Sequence, residues 1–178
     1  MARIHDLEIF CNAARETGAL DAVVVSPREG VVTADWVRMR CQYGCSEYGR
    51  CLTCPPYSPA AHETRKMLDE FSAGILLHGD RTEPLRQLAR RLERDAFLAG
   101  YHKAFAFLCG PCRLCRTCAI EKPSRRRPRI CRHAELARPA MEAAGIDVFA
   151  TARQAGMPIE VVASRDCPQD YYALVLLE

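Results

Sequence analysis

Lysine is scarce in this chain: of 25 basic side chains only three are Lys, at 66, 103 and 122. With its many alanines, that bias reads as genomic composition more than as function. Aromatic residues make up 7% of the chain and tryptophan occurs once. No apolar run approaches the roughly 18–20 residues of a membrane span. The opening stretch MARIHDLEIFCNAARE is charged throughout and has no apolar h-region, so it is not expected to be a secretory leader. These absences lead to the expectation of a soluble, cytoplasmic protein with no membrane partner. A glycine-rich phosphate loop and a Ser/His/Asp constellation are both missing. The five histidines at 5, 62, 78, 102 and 133 are scattered, and only His133, beside Cys131, is placed to replace a metal ligand. The net charge of +3 is too mild to imply a nucleic-acid partner. Residues 109–148 contain no aromatic side chain on which a base could stack, so nucleic acid is not expected to be a partner.

Cysteine, by contrast, is abundant. Eleven occur in 178 residues, four within 41–54 and five within 109–131, with only Cys11 and Cys167 outside. In a reducing cytosol disulfides are not expected, and an odd count suits a disulfide framework poorly. Two metal-binding segments are the natural expectation. Cys11 falls on the apolar face of a helix expected over 7–17 and belongs to the core. Cys167 is expected to be a free thiol in a turn.

The rest of the chain, 49% apolar, is enough for an ordinary core. Strands are expected at 21–25 and 31–33 about a turn, at 73–78, at 103–109, and as a pair at 158–164 and 171–178. Helices are expected at 60–71, 82–99, 134–144 and 148–154, and a loop at 38–59. Thr82 is expected to cap the 82–99 helix, whose stripe of Leu85, Leu88, Ala89, Leu92, Ala96 and Ala99 repeats at helical spacing up to Gly100. The order strand–helix–strand over 73–109 suggests a right-handed parallel crossover. The expected fold is therefore α/β, of mixed α+β character. It comprises one domain over 1–178, a mixed sheet flanked by helices, and two cysteine-rich loops at 38–59 and 109–133.

In the second loop Cys112, Cys115 and Cys118 give C-x2-C-x2-C, the first three ligands of a ferredoxin-type [4Fe–4S] site. Such a loop can wrap three corners of a cube, and the fourth thiolate arrives from further along. Cys131 is the natural fourth ligand, with Cys109 as the substitute. Cys109 ends an apolar strand and is equally readable as a buried thiol. Zinc remains the alternative. Arg113 and Arg116 stand beside these thiols and are expected to offset the charge of about −2 on an oxidised four-thiolate cluster. The run Arg125–Arg127 extends the same basic segment and suits a solvated loop or an acidic partner.

The first loop carries Cys41, Cys45, Cys51 and Cys54, enough thiolates to close one site, iron–sulfur or zinc. Gly44 and Gly49 permit the turns a wrapping loop needs, and Pro55 follows the last cysteine as a proline does in ferredoxins. If Cys51 is dispensable, three thiolates would leave an open iron position.

Two stretches resemble a known family. One is C-x3-C-x2-Y-G-x4-C-P-P, from Cys41 to Pro56. The other is G-P-C-R-L-C-x2-C (110–118), followed by C-R-H (131–133) and A-R-P-x-M-E-A-x-G-I-D-V (137–148). They are similar to a prokaryotic family of predicted metal-binding proteins, common in anaerobes, to which no reaction is assigned. The resemblance implies Cys41, Cys45 and Cys54 as ligands of one site and Cys112, Cys115, Cys118 and Cys131 as ligands of the other. Cys51 and Cys109 are not required by it, and the proline usual after C-R-H is Ala134 here. The stretch 138–151 reads as a structural shelf beside the second site.

The functional expectation is an iron–sulfur protein with one or two [4Fe–4S] clusters, passing electrons to or from a redox partner protein with an acidic docking surface. A zinc-stabilised interaction module is the first alternative. An enzyme using an open iron at the first site is the second.

Overall fold

The computed structural model describes residues 4–121, 130–164 and 166–178, with side chains from Leu7 onward. The run Arg125–Arg127, expected to be a solvated basic loop or a docking site for an acidic partner, lies outside the described residues. Among them no helix is long and apolar enough to cross a membrane.

The fold is a four-stranded sheet flanked by helices, as the α/β expectation requires. In chain order the elements are α1 (Ile4–Glu16), β1 (Asp21–Val25), α2 (Pro27–Gly30), α3 (Asp35–Gly44), α4 (Ala61–Leu68), β2 (Gly74–Gly79), α5 (Thr82–Leu98), β3 (Phe105–Phe107), α6 (Val148–Gln154) and β4 (Tyr171–Leu176). A 3-10 turn at Glu142–Ala144 precedes α6. The strand order is β1-β2-β4-β3, and each neighbouring pair is antiparallel. The pairing is thus antiparallel throughout the strands, where a mixed sheet was expected.

Successive side chains of a strand point to opposite faces, and the sheet carries a core on each. Ile75, Leu77, Ala173 and Val175 pack beneath α1 and α5. Leu76, Leu174, Leu176 and Phe107 pack on the other face with Leu68, Met141, Ile146 and Ala152. The α5 stripe is buried as its spacing requires at Leu85, Leu88, Ala89, Leu92 and Ala96, whereas Ala99, the C-cap beyond the last helical residue, is exposed. Thr82 is the first residue of α5 rather than its cap, a position held by Arg81.

The direct parallel crossover is not formed. β2 and β3 do run parallel to each other, since each is antiparallel to β4, but β4 is inserted between them. The apolar strand YYALVL is buried on both faces and takes this central place. That insertion also explains why 158–164 is not a strand. Both edges of β4 are already paired, leaving that segment no partner, and Val161 stays 76% exposed.

Residues 31–33 likewise form no hairpin with β1, whose partner is β2. They dock on the 3-10 turn and α6 instead, through Ala34 N–H to Gly145 O (2.8 Å), Asp147 N–H to Val32 O (2.8 Å) and Val32 N–H to Thr151 Oγ1 (3.1 Å). The helix expected over 134–144 is interrupted. Pro139 disfavours helical geometry at Arg138, and the chain crosses to Leu108 through Leu108 N–H to Pro139 O and Met141 N–H to Leu108 O. Finally, the 38–59 loop begins as the end of α3 rather than as irregular chain.

Candidate metal centre

Cys41 lies in the last turns of α3, and Cys45 is that helix's C-cap, its N–H bonded to Cys41 O at 3.2 Å. The x3 spacing is therefore a helical one that sets both thiols on one face. From there the chain winds through turns. Cys54 N–H reaches Cys51 O (3.0 Å), Ser58 N–H reaches Cys54 O (3.2 Å), and Gly49, at φ 72°, folds back so that its N–H meets Pro55 O (2.8 Å). Arg38 fixes the loop exit, donating to Pro59 O (2.7 Å), Ser58 O (3.1 Å) and Ala143 O (3.3 Å).

The second loop leaves β3 at Cys109. Arg86, buried in α5, donates to Cys109 O at 2.8 Å and is held in turn by Glu83 at 3.1 Å. Gly110 adopts φ 61°, a left-handed conformation that favours glycine, and a Cβ there would stand 2.9 Å from the Arg86 guanidinium. Arg132 donates to Thr117 O (2.7 Å), which brings the Cys131 segment back to the loop.

The two loops meet. The Cys51 thiol lies in hydrogen-bond reach of both Cys112 and Cys54, and Thr53 Oγ1 stands 3.2 Å from its sulfur. Hydrogen bonds from Cys112 and then Cys54 push Cys51 down towards the thiolate, while those two thiols are pushed up as the donors. The three thiols are coupled, and their hydrogen bonds favour the thiolate form at Cys51. Cys41 and Cys45 act electrostatically on Cys54, and Cys131 acts on Cys112. Cys115 and Cys118 follow Cys112, half buried. Two ion pairs stitch the loops together: Arg50 to Glu121 (2.7 Å) and Arg113 to Glu47 (3.1 Å). Arg113, expected beside a cofactor, thus spans the two loops, and Arg116 is exposed.

Burial pushes the Cys41 thiol up, helped by Cys45 and Glu142. Thiolates at the C-terminal end of α3 face the negative end of its dipole, so a cation has to supply the compensating charge. Among the described residues no three His, Cys, Asp or Glu side chains are already set as a closed metal site. The fit to a metal rests on the donors, an all-sulfur set suited to thiophilic ions or clusters. Cys109 is buried, with its thiol pushed up to about 11 by desolvation, the condition of a neutral packed thiol. Cys11, also raised to about 11 by burial, is a core residue, as expected.

A family model described as predicted metal-binding protein (DUF2284) matches residues 25–177. The chain belongs to the DUF2284 family. The match takes in both cysteine loops and leaves α1 outside it. No curated protein and no solved structure matches the chain. That description agrees with the metal-binding character expected of the cysteines.

A cleft of about 810 Å³ opens beside the first loop, with Cys41, Cys45 and Cys54 on its wall and Cys51 not part of it. Glu142 lines it too and is exposed, yet the protein around its carboxyl pushes it up, against the lowering influence of a backbone hydrogen bond and of Arg40. The sequence reading missed this residue. It lies in the A-R-P-x-M-E stretch taken as a shelf beside the second site, whereas the structure sets that stretch against the first loop. Ser58 Oγ and Arg38 both donate to Ala143 O there. The motif itself was the available signal.

Proposed function

We propose that this DUF2284 protein is an iron–sulfur protein whose two cysteine loops hold [4Fe–4S] clusters and exchange electrons with a redox partner protein. The contact of Cys51 with both Cys54 and Cys112 carries this reading. It places the thiols of two loops, far apart in sequence, against one another. Clusters held there would supply one-electron chemistry at a potential set by charge and hydrogen bonding. The chain's own part is to present thiolates and balance their charge. Cys51 gives up a proton easily, Arg50 and Arg113 hold the loops together, and the buried guanidinium of Arg86 steadies the entrance to the second loop. The C-x2-C-x2-C triplet favours a cluster over zinc, because one continuous loop can reach three corners of a cube.

Anaerobically purified protein should be brown, contain iron and acid-labile sulfide in equal amounts, and give a cluster EPR signal on reduction. Colourless protein with stoichiometric zinc and no sulfide would sink the proposal in favour of a zinc-stabilised module. The cleft favours one second reading. Cys41, Cys45 and Cys54 line it while Cys51 does not, which suits an enzyme with an open metal position. That reading requires Cys51→Ser to keep metal at the first loop.

A further inference from the structure

We propose that the cleft beside Cys41, Cys45 and Cys54 binds a small organic carboxylate with an apolar body. It rests on the reading above only for what the bound molecule would face. At about 810 Å³ the cleft falls within the ~300–1,000 Å³ of ordinary small-molecule sites. Its walls are largely apolar, among them Val37, Ile146, Phe149 and Val161. Val161 is 76% exposed and Trp36, also on the wall, is 45% exposed. An apolar ligand body would cover that surface.

The charge comes from two arginines on different helices. Arg40 of α3 lies over Trp36 at 6.0 Å, and Arg153 of α6 lies over Phe149 at 5.6 Å. Each is stacked on the aromatic ring four residues before it, which holds the planar fork ready for a carboxylate. Among the described residues neither has a carboxylate in ion-pair range, whereas the arginines around the loops are engaged: Arg38 by carbonyls, and Arg50, Arg86, Arg113 and Arg138 by acids. The acids on the cleft are largely committed elsewhere. Glu47 pairs with Arg113, Asp170 with His78 (2.8 Å), and Asp147 caps α6 by accepting from Ala150 N–H. Glu142 and Glu160 remain, and Glu142 reaches Arg40 electrostatically without forming an ion pair. A ligand carboxylate would displace that weak influence with direct hydrogen bonds.

The test is calorimetric titration of anaerobically purified full-length protein, in the metal state in which it is isolated, with 3-phenylpropanoate and its neutral amide. The carboxylate should bind saturably, at least about tenfold more tightly than the amide, as expected for one charge-assisted bidentate contact. The double variant Arg40→Met/Arg153→Met, altered only at exposed positions, should lose about tenfold, and Glu142→Gln should not weaken binding. The proposal is overturned by any of four results. These are no saturable binding up to about 10 mM, equal affinity for acid and amide, an unchanged double variant, and weaker binding by Glu142→Gln. Iron and sulfide measured on the same sample separate the two ideas. Binding by a zinc-loaded protein would sink the cluster and keep the cleft, while a cluster without binding would do the reverse.

Discussion

β2 is buried at all six of its positions and hydrogen-bonded along both edges. The stretch 45–59, which carries three of the cysteines, has neither feature and is held by turns, a few side-chain bonds and two cross-loop ion pairs. The sheet owes its stability to apolar area removed from water and needs nothing besides the chain. The cysteine face gathers groups that repel one another once ionised, and on the proposed function a cation offsets that repulsion. One region is built to fold and the other to be filled, and the two should respond differently to every perturbation.

The largest difference should come from the core. Leu174, fully buried in the central strand, should cost about 3–5 kcal/mol when changed to Ala, with or without metal, as read by denaturant unfolding. An equal loss only in the metal-bound protein would erase the distinction. Next is Gly145, at φ 78°, where a Cβ would stand 2.7 Å from Ala61 Cβ and 2.8 Å from Ala61 Cα. Gly145→Ala should cost about 2–4 kcal/mol through strain and overpacking, and should disturb metal uptake at the first loop more than at the second. Metal content of Gly145→Ala combined with Cys45→Ser, beside Gly145→Ala combined with Cys115→Ser, reads that out.

A smaller effect attaches to pH. The protein packed around the Glu142 carboxyl raises it although the residue is exposed, so the folded protein holds this proton somewhat more tightly than the unfolded chain does. Its contribution is favourable at low pH and is lost as pH rises through the raised value. Glu142→Gln should therefore stabilise the protein at pH 8 relative to wild type and have little effect at pH 4, measured by thermal melts. The reverse order would show that the carboxylate form is the favoured one. Least of all, Arg50→Ala removes a half-exposed ion pair to Glu121 and should cost about 0.2–1 kcal/mol, shrinking further in high salt.

The sheet was the more legible region for the same physical reason that makes it self-sufficient. Burial writes a period into the sequence, so α1, α5, α6 and the strands at 21–25, 73–78 and 171–178 could be read from spacing alone. The order of strands could not, because nothing in YYALVL says that it will separate β2 from β3. Local signals also failed where tertiary partners competed. Residues 31–33 found α6 rather than β1, Pro139 diverted the helix expected over 134–144, and Val161 and Val162 had a strand's composition but no free edge. The cysteine ligands were visible as residue types, yet spacing placed them in two separate loops. The junction at Cys51 depends on how those loops are folded against each other, so the residue that the family pattern does not require became the central one. Glu142 was hidden for a similar reason, since its neighbours in space are 100 residues away in sequence.

The central claim is that the two loops form one metal-binding region joined at Cys51. Metal and acid-labile sulfide per chain, measured on anaerobically purified Cys51→Ser beside wild type, test it most directly. The account predicts that both fall, with loss of metal from the second loop as well as the first. A variant that keeps the full complement of metal and sulfide would contradict it.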